Sequence, residues 1–173
     1  MARRNVSIHA AFLASSILAW PAVAADVTPE RLLNPDKEPQ NWLMNHRTYD
    51  GQRYSPLDKI NKANIKSLKL AYAVAIGGTS VNENLESTPL AEDGFLYITD
   101  SWGVLYKIDA RSGETGRIVW RMDPGQEKTA DANRGAALWG KLVITNANYP
   151  PRMIATRVGR RDRAAPRSAR ALF

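Results

Sequence analysis

Gly94-Phe95-Leu96-Tyr97-Ile98-Thr99 recurs as Gly140-Lys141-Leu142-Val143-Ile144-Thr145, an offset of 46 residues (94 to 140). The apolar residues alternate within the copies, a period of two that suits a β-strand with one buried face. Working outward, Glu92-Asp93-Gly94 is a turn, and residues 88–91 before it are a short strand candidate. Asp100-Ser101-Trp102-Gly103 is a second turn, followed by a strand at 104–109. A Gly-containing loop then runs to Gly116, and a strand at 117–121 ends at Asp123-Pro124-Gly125. Residues 135–139 stand before the second copy as 88–91 stand before the first. Short, evenly spaced strands with strong turn punctuation predict an antiparallel meander. Two such units at this period predict β-propeller blades.

Upstream the pattern is different. Residues 28–33 read as a helical turn, with Thr28 as N-cap, Pro29 at the first helical position and Asn34-Pro35 as the stop. Residues 41–50 suggest another turn around Trp42 and Met44. Tyr54-Ser55-Pro56-Leu57 is extended, because a residue before proline avoids the helical region. Ile60, Ile65 and Leu68 suit a helical turn capped by Asn64. From Leu68 the period drops to two, and residues 68–76 predict a strand stopped by Gly77-Gly78.

The two ends stand apart from this body. Arg3 and Arg4, a short apolar run at 10–20 and Ala22-Val23-Ala24 form an export leader over residues 1–24, with Ala25 as the first mature residue. The run is too short to span a bilayer, and no later segment is long and apolar enough to do so. The net charge of +7 resolves into the two ends: Arg3 and Arg4 give two charges, and 157–173, with six Arg and one Asp, gives five. The body from 25 to 156 is neutral, so a globular nucleic-acid-binding patch is not supported. The chain has no cysteine, which excludes disulfides, thiolate metal sites and cysteine nucleophiles.

Several motifs of the body form a set. Trp42, Gln52-Arg53-Tyr54-Ser55-Pro56-Leu57 and Ile60-Asn61-Lys62-Ala63-Asn64-Ile65-Lys66-Ser67-Leu68 come first. Glu86-Ser87-Thr88-Pro89-Leu90, Asp93-Gly94-Phe95-Leu96-Tyr97, Gly116-Arg117-Ile118-Val119-Trp120 and Asn133-Arg134-Gly135 follow. Together they resemble the amino-terminal part of the quinoprotein alcohol dehydrogenases, the methanol- and ethanol-dehydrogenase family that uses pyrroloquinoline quinone (PQQ). The resemblance covers 29–156 and ends at Arg157. It implies an all-β fold: the first two blades of an eight-bladed β-propeller, preceded by short helical turns. It divides the chain into a leader (1–24), an extension of the propeller (25–67), blades (68–156) and an Arg/Ala-rich tail (157–173). The tail has two readings, a basic interaction tail or text read out of frame, since the break falls in mid-strand.

The resemblance also assigns residues. Glu86 stands where the family places a carboxylate beside the quinone, and Arg134 where it places a guanidinium on a PQQ carboxylate. The chemistry is apt, because an arginine fork binds carboxylate in a bidentate way that lysine cannot reproduce. Both residues precede the first strand of their repeat, so their side chains are expected to converge at one end of the ring. Lys128 and Thr129 stand where many members carry adjacent cysteines. The family's calcium or lanthanide ligands and its general-base Asp fall after Thr156, so no catalytic or metal-binding residue is assigned here. An alcohol substrate and a periplasmic electron acceptor such as a cytochrome c are the implied partners.

Other chemistry-bearing residues have plainer readings. Trp102, Trp120 and Trp139 are expected to pack between blades rather than stack on a cofactor. Asp93, Asp100, Asp109 and Asp123 are read as turn formers. His46 is read as a core or capping residue. No Ser-His-Asp set, phosphate loop or zinc spacing is present. Two other classes stay open: a non-catalytic propeller scaffold of the cell envelope, and a small secreted binder using the basic tail. The chain as written is expected to be inactive and poorly soluble, because two blades alone expose strand edges.

Overall fold

The computed structural model describes residues 26–77, 84–127 and 132–160; the leader, Lys128, Thr129 and residues 161–173 lie outside them. Helix α1 (Pro29–Leu33) forms where the capping signals predict it. Thr28 is extended (φ −95°, ψ 161°), and its Oγ1 accepts a hydrogen bond from Arg31 N at 3.4 Å. Asn34 closes the helix, and a 3-10 turn (Pro35–Lys37) follows. Residues 41–50 are not helical: Trp42 exchanges two backbone hydrogen bonds with Ala91, and tight turns follow it. A 3-10 turn does form at Ile65–Ser67, but Asn64 does not cap it. Its amide instead ties back to Asn61 N and Lys59 O.

Strands β1 (Leu90–Glu92), β2 (Phe95–Thr99), β3 (Leu105–Asp109) and β4 (Arg117–Met122) form an antiparallel sheet in chain order. Strands β5 (Ala137–Trp139), β6 (Leu142–Ala147) and β7 (Arg152–Arg157) form a second one the same way. Two-residue turns close both leading hairpins, at Glu92↔Phe95 and Trp139↔Leu142. Asp93 (φ 49°) and Gly94 (φ 80°) are both left-handed, which is what a tight hairpin turn matching the strand twist requires. Tyr97 and Val143, equivalent in the repeat, are both fully buried.

The sheets share one core. Leu90, Tyr97, Leu105, Trp120 and Met122 of the first meet Leu138 and Val143 of the second, with Val27, Leu32 and Leu43 of the N-terminal extension packed alongside. The extension also covers strand edges, through Val27↔Gly140 and Trp42↔Ala91. Beneath it, Arg31 bonds both Glu38 and the fully buried Glu92.

Residues 68–76 depart from expectation. The alternation is visible, since Tyr72, Val74 and Ile76 are half-buried and Ala71, Ala73 and Ala75 are exposed. Val74 and Ile76 pack on Val104, Tyr106 and Ile108. No ladder forms, because no strand lies beside this segment among the described residues, and a strand is defined by its hydrogen-bonded neighbour. Gly116 allows the close approach: a Cβ there would collide with Tyr72 and Val74.

The chain also holds its course past the expected break. Arg157 pairs with Leu142, and Val158 N donates to Lys141 O at 2.9 Å. Val158 is buried in the core, and its carbonyl accepts from Trp120 Nε1 at 3.1 Å and Lys107 Nζ at 3.2 Å.

The four aspartates behave as turn formers. Asp93 is in the hairpin turn, Asp109 accepts from Arg111 N, and Asp123 accepts from Gly125 N. Asp100 carries the most. Its buried Oδ1 accepts from Trp102 N at 3.0 Å and Val104 N at 2.9 Å, and its Oδ2 from Tyr106 Oη at 3.1 Å. Asp100→Asn keeps one acceptor for the two amides but removes the charge and puts an NH2 group against the tyrosine. A loss of about 1–2 kcal/mol is expected in urea unfolding, and Tyr106→Phe in the same background should cost a further amount, because Tyr106 Oη also accepts from Gly77 N at 3.1 Å.

Candidate functional site

The loops before β1 and β5 are locked side by side. Thr88 and Gly135 form a parallel bridge. Gly135 has φ +114°, and a Cβ there would sit 3.3 Å from both Ser87 Oγ and Thr88 O, so the bridge needs glycine twice over. Asn133 is the buried anchor. Its Oδ1 accepts from Thr99 Oγ1 at 2.8 Å and Gly135 N at 2.9 Å, and its Nδ2 donates to Asn146 O at 3.1 Å. Ser87 Oγ in turn accepts from Thr99 N at 3.2 Å. The Asn-Arg-Gly triplet thus has a division of labour: a buried clamp, a presented cation and a left-handed hinge.

The side chains presented by these loops meet. Arg134 Nη1 lies 2.6 Å from Glu86 Oε2, as their places in the repeat predict. The Arg134 side chain is 81% exposed, and this contact occupies one of its five N–H donors. The two residues line an open cleft of about 430 Å³ with Trp42, Asn45, His46, Arg53 and Thr88. A larger cleft of about 690 Å³ lies against residues 146–153, but Arg152 and Tyr149 are its only ionisable members. A third, of about 400 Å³, is lined by Asp109, Arg111 and Arg117, but there both arginines are paired with Asp109 as the turn former.

Four cleft residues are not marked by the repeat. Trp42, Asn45, His46 and Arg53 reach it because the extension loops back after pairing with Ala91. His46, read as a core or capping residue, is half-exposed and bonds Arg53 Nη2 through Nε2 at 2.7 Å. A guanidinium only donates, so His46 Nε2 is the acceptor in this contact. Of the three tryptophans, Trp102 and Trp120 are buried packing residues. Trp139 is 48% exposed, on the same face of the second sheet as Met153 at 84%, and packs on no further sheet among the described residues.

Shifted ionisations lie elsewhere. Burial holds Glu92 above the usual carboxylate range, Tyr97 above the usual phenol range and Lys107 below the usual ammonium range. These groups sit inside the first blade, with Arg31 against Glu92 and Lys107 Nζ 4.0 Å over the Phe95 ring. They are structural, so a shifted pKa does not mark the site here.

Comparison with known proteins bears on this arrangement. Residues 42–164 match the family described as glucose/ethanol/alcohol dehydrogenase, beta-propeller domain, of the PQQ type. The chain belongs to this family. The match runs past Thr156, in line with the docked path of residues 157–160. Quinohemoprotein alcohol dehydrogenase ADH-IIG of Pseudomonas putida is 38% identical over 141 residues, 75% of this chain and 19% of the relative. The dehydrogenase subunit of the quinone alcohol dehydrogenase of Gluconacetobacter polyoxogenes is 38% identical over 136 residues, 74% of this chain and 17% of the relative. The solved structure of ADHIIG from Pseudomonas putida HK5 superposes with TM-score 0.62 at 35% identity, over 73% of this chain and 19% of that one. A europium-containing methanol dehydrogenase superposes with TM-score 0.59 at 26% identity, over 68% of this chain and 21% of that one. The PQQ propeller blades expected from the repeat are therefore the fold of this chain, which spans about a fifth of the length of these relatives.

Proposed function

We propose that this chain is the N-terminal part of a periplasmic PQQ-dependent alcohol dehydrogenase and forms one wall of its quinone site. What supports the reading is the convergence of Glu86 and Arg134 in one cleft, on loops locked by Asn133 and Gly135. The donor set suits the cofactor. Arg134 keeps four N–H groups for a PQQ carboxylate, and Glu86 fixes the guanidinium from its other side. When bound, the quinone supplies the acceptor for hydride taken from an alcohol, giving an aldehyde. This chain's residues hold and orient; none of the described ones is assigned as the general base. Among the described residues no group of three or more His, Asp or Glu side chains comes together as a metal cage. A calcium or lanthanide ion would take its ligands from elsewhere in an eight-bladed ring. The electrons would pass to a periplasmic acceptor such as a cytochrome c. Export by the leader read at residues 1–24 would bring the protein to that compartment, and no helix of the described residues is long and apolar enough to cross a membrane. The scaffold reading gains nothing from relatives that are alcohol dehydrogenases.

The test is direct binding of PQQ to the purified chain, followed by tryptophan quenching. Arg134→Gln is expected to weaken binding roughly 10- to 100-fold, the worth of a charge-assisted contact. Glu86→Gln, which loosens the guanidinium, should weaken it several-fold. The unaltered chain should give no alcohol-dependent dye reduction. Equal binding by Arg134→Gln and the parent would remove the cofactor assignment.

A further inference from the structure

The cleft holds a second guanidinium with different prospects from the first. Arg134 is paired with Glu86. Arg53, brought to the same cleft by the N-terminal extension, has no carboxylate partner among the described residues; its side chain donates to His46 Nε2, at 2.7 Å. Asp50 nearby in the loop accepts from Gln52 Nε2 at 2.7 Å, and Arg53's own backbone N donates to His46 O at 3.1 Å. Arg53 also sits in the left-handed region (φ 55°), a conformation that costs a residue with a Cβ free energy and is held here by the loop. Gly51, itself left-handed at φ +71°, lies beside the His46 ring, with Nδ1 3.4 Å from where a Cβ would stand. Among the described residues of the cleft, the loop therefore presents a guanidinium with no carboxylate partner, which spends one of its five donors on His46 Nε2.

We propose that Arg53, oriented by His46, is a second carboxylate-binding arm of the cleft, taking a carboxylate of the same polycarboxylated ligand whose other end meets Arg134. The inference rests on the cofactor reading of Glu86 and Arg134. Two forks lining one cleft from separate loops select for a flat ligand with acidic groups on more than one edge, which a monocarboxylate of the same size does not offer. His46 is a positioning residue: it restrains the guanidinium and does not itself meet the ligand's carboxylate.

The experiment is PQQ binding by the full chain, with PQQ trimethyl ester as the probe whose acidic groups are masked. Arg53→Gln is expected to weaken PQQ about 10-fold and to leave the ester unchanged. Arg53→Lys, which keeps charge without the fork, should recover only part of the loss. His46→Gln, whose amide can still accept from Arg53, should stay near the parent, whereas His46→Ala should lose several-fold. Near-UV circular dichroism of each variant checks that the loop and core are intact. Unchanged PQQ binding by Arg53→Gln, with Arg134→Gln impaired, overturns this proposal and leaves the cofactor reading standing. Indifference to both substitutions overturns both.

Discussion

Trp120→Ala is expected to cost about 3–5 kcal/mol, enough to leave a small domain largely unfolded. Trp120 is 1% exposed and sits at the seam of the two sheets, its ring 6.4 Å from that of Tyr97. Its removal leaves a cavity among residues that belong to both blades and to the N-terminal extension. It also leaves the Val158 carbonyl with Lys107 Nζ as its remaining side-chain donor, and that ammonium is already disfavoured by burial. Urea unfolding followed by far-UV circular dichroism reads the loss without relying on the deleted fluorophore. Trp120→Phe keeps one aromatic ring and loses the Nε1 hydrogen bond with part of the indole volume, so a smaller loss of about 1–2 kcal/mol is expected. A Trp120→Ala loss below about 1 kcal/mol would mean that the seam is not formed in solution.

The contrast between Trp120 and Trp139 shows what the sequence can and cannot specify. Trp120 lies near the end of β4 and Trp139 ends β5. Trp120 is covered because a second sheet follows it, and Trp139 is bare because no further sheet lies on its face among the described residues. The same logic explains residues 68–76. Their period of two is written in the chain, and Tyr72, Val74 and Ile76 turn inward as it demands. Whether they become a strand depends on a neighbour, and that information is not local. Turn chemistry is local, which is why the aspartates at 93, 100, 109 and 123 were all legible. The meeting of Glu86 and Arg134 was legible for a related reason: both lie in the loops that precede the first strand of adjacent repeats, and such matching loops are neighbours in space. His46 and Arg53 were not, because they reach the cleft through a return of the extension that no repeat encodes. A positive φ at a non-glycine position leaves little trace in sequence, so the presentation of Arg53 was visible only in the fold.

Arg31→Ala is expected to cost about 3 kcal/mol at neutral pH, through charge rather than packing. Arg31 Nη2 lies 2.6 Å from Glu38 and Nη1 3.3 Å from Glu92, whose side chain is 1% exposed. Without the arginine, Glu92 is a buried carboxylate whose remaining side-chain partner is the Tyr97 hydroxyl at 3.3 Å. The pH dependence follows from the two carboxylates. The Arg31 contact holds Glu38 below its ordinary range, so its stabilisation is present above about pH 4.5 and lost as pH falls through its lowered pKa. Burial holds Glu92 above its ordinary range, so the fold favours its protonated form, and stability from this group is lost as pH rises from about 4.5 through its raised pKa. Arg31 limits that loss, and removing it pushes Glu92 higher still. Both effects make the variant's deficit largest at neutral pH and smaller near pH 4. Urea unfolding of both proteins at the two pH values measures it. Glu92→Gln in the Arg31→Ala background should restore part of the stability at neutral pH and flatten the pH dependence, because the uncompensated charge is gone. A deficit that is the same at both pH values, and untouched by Glu92→Gln, would assign the loss to the arginine's aliphatic stem packing between α1 and β1 rather than to the ion pair.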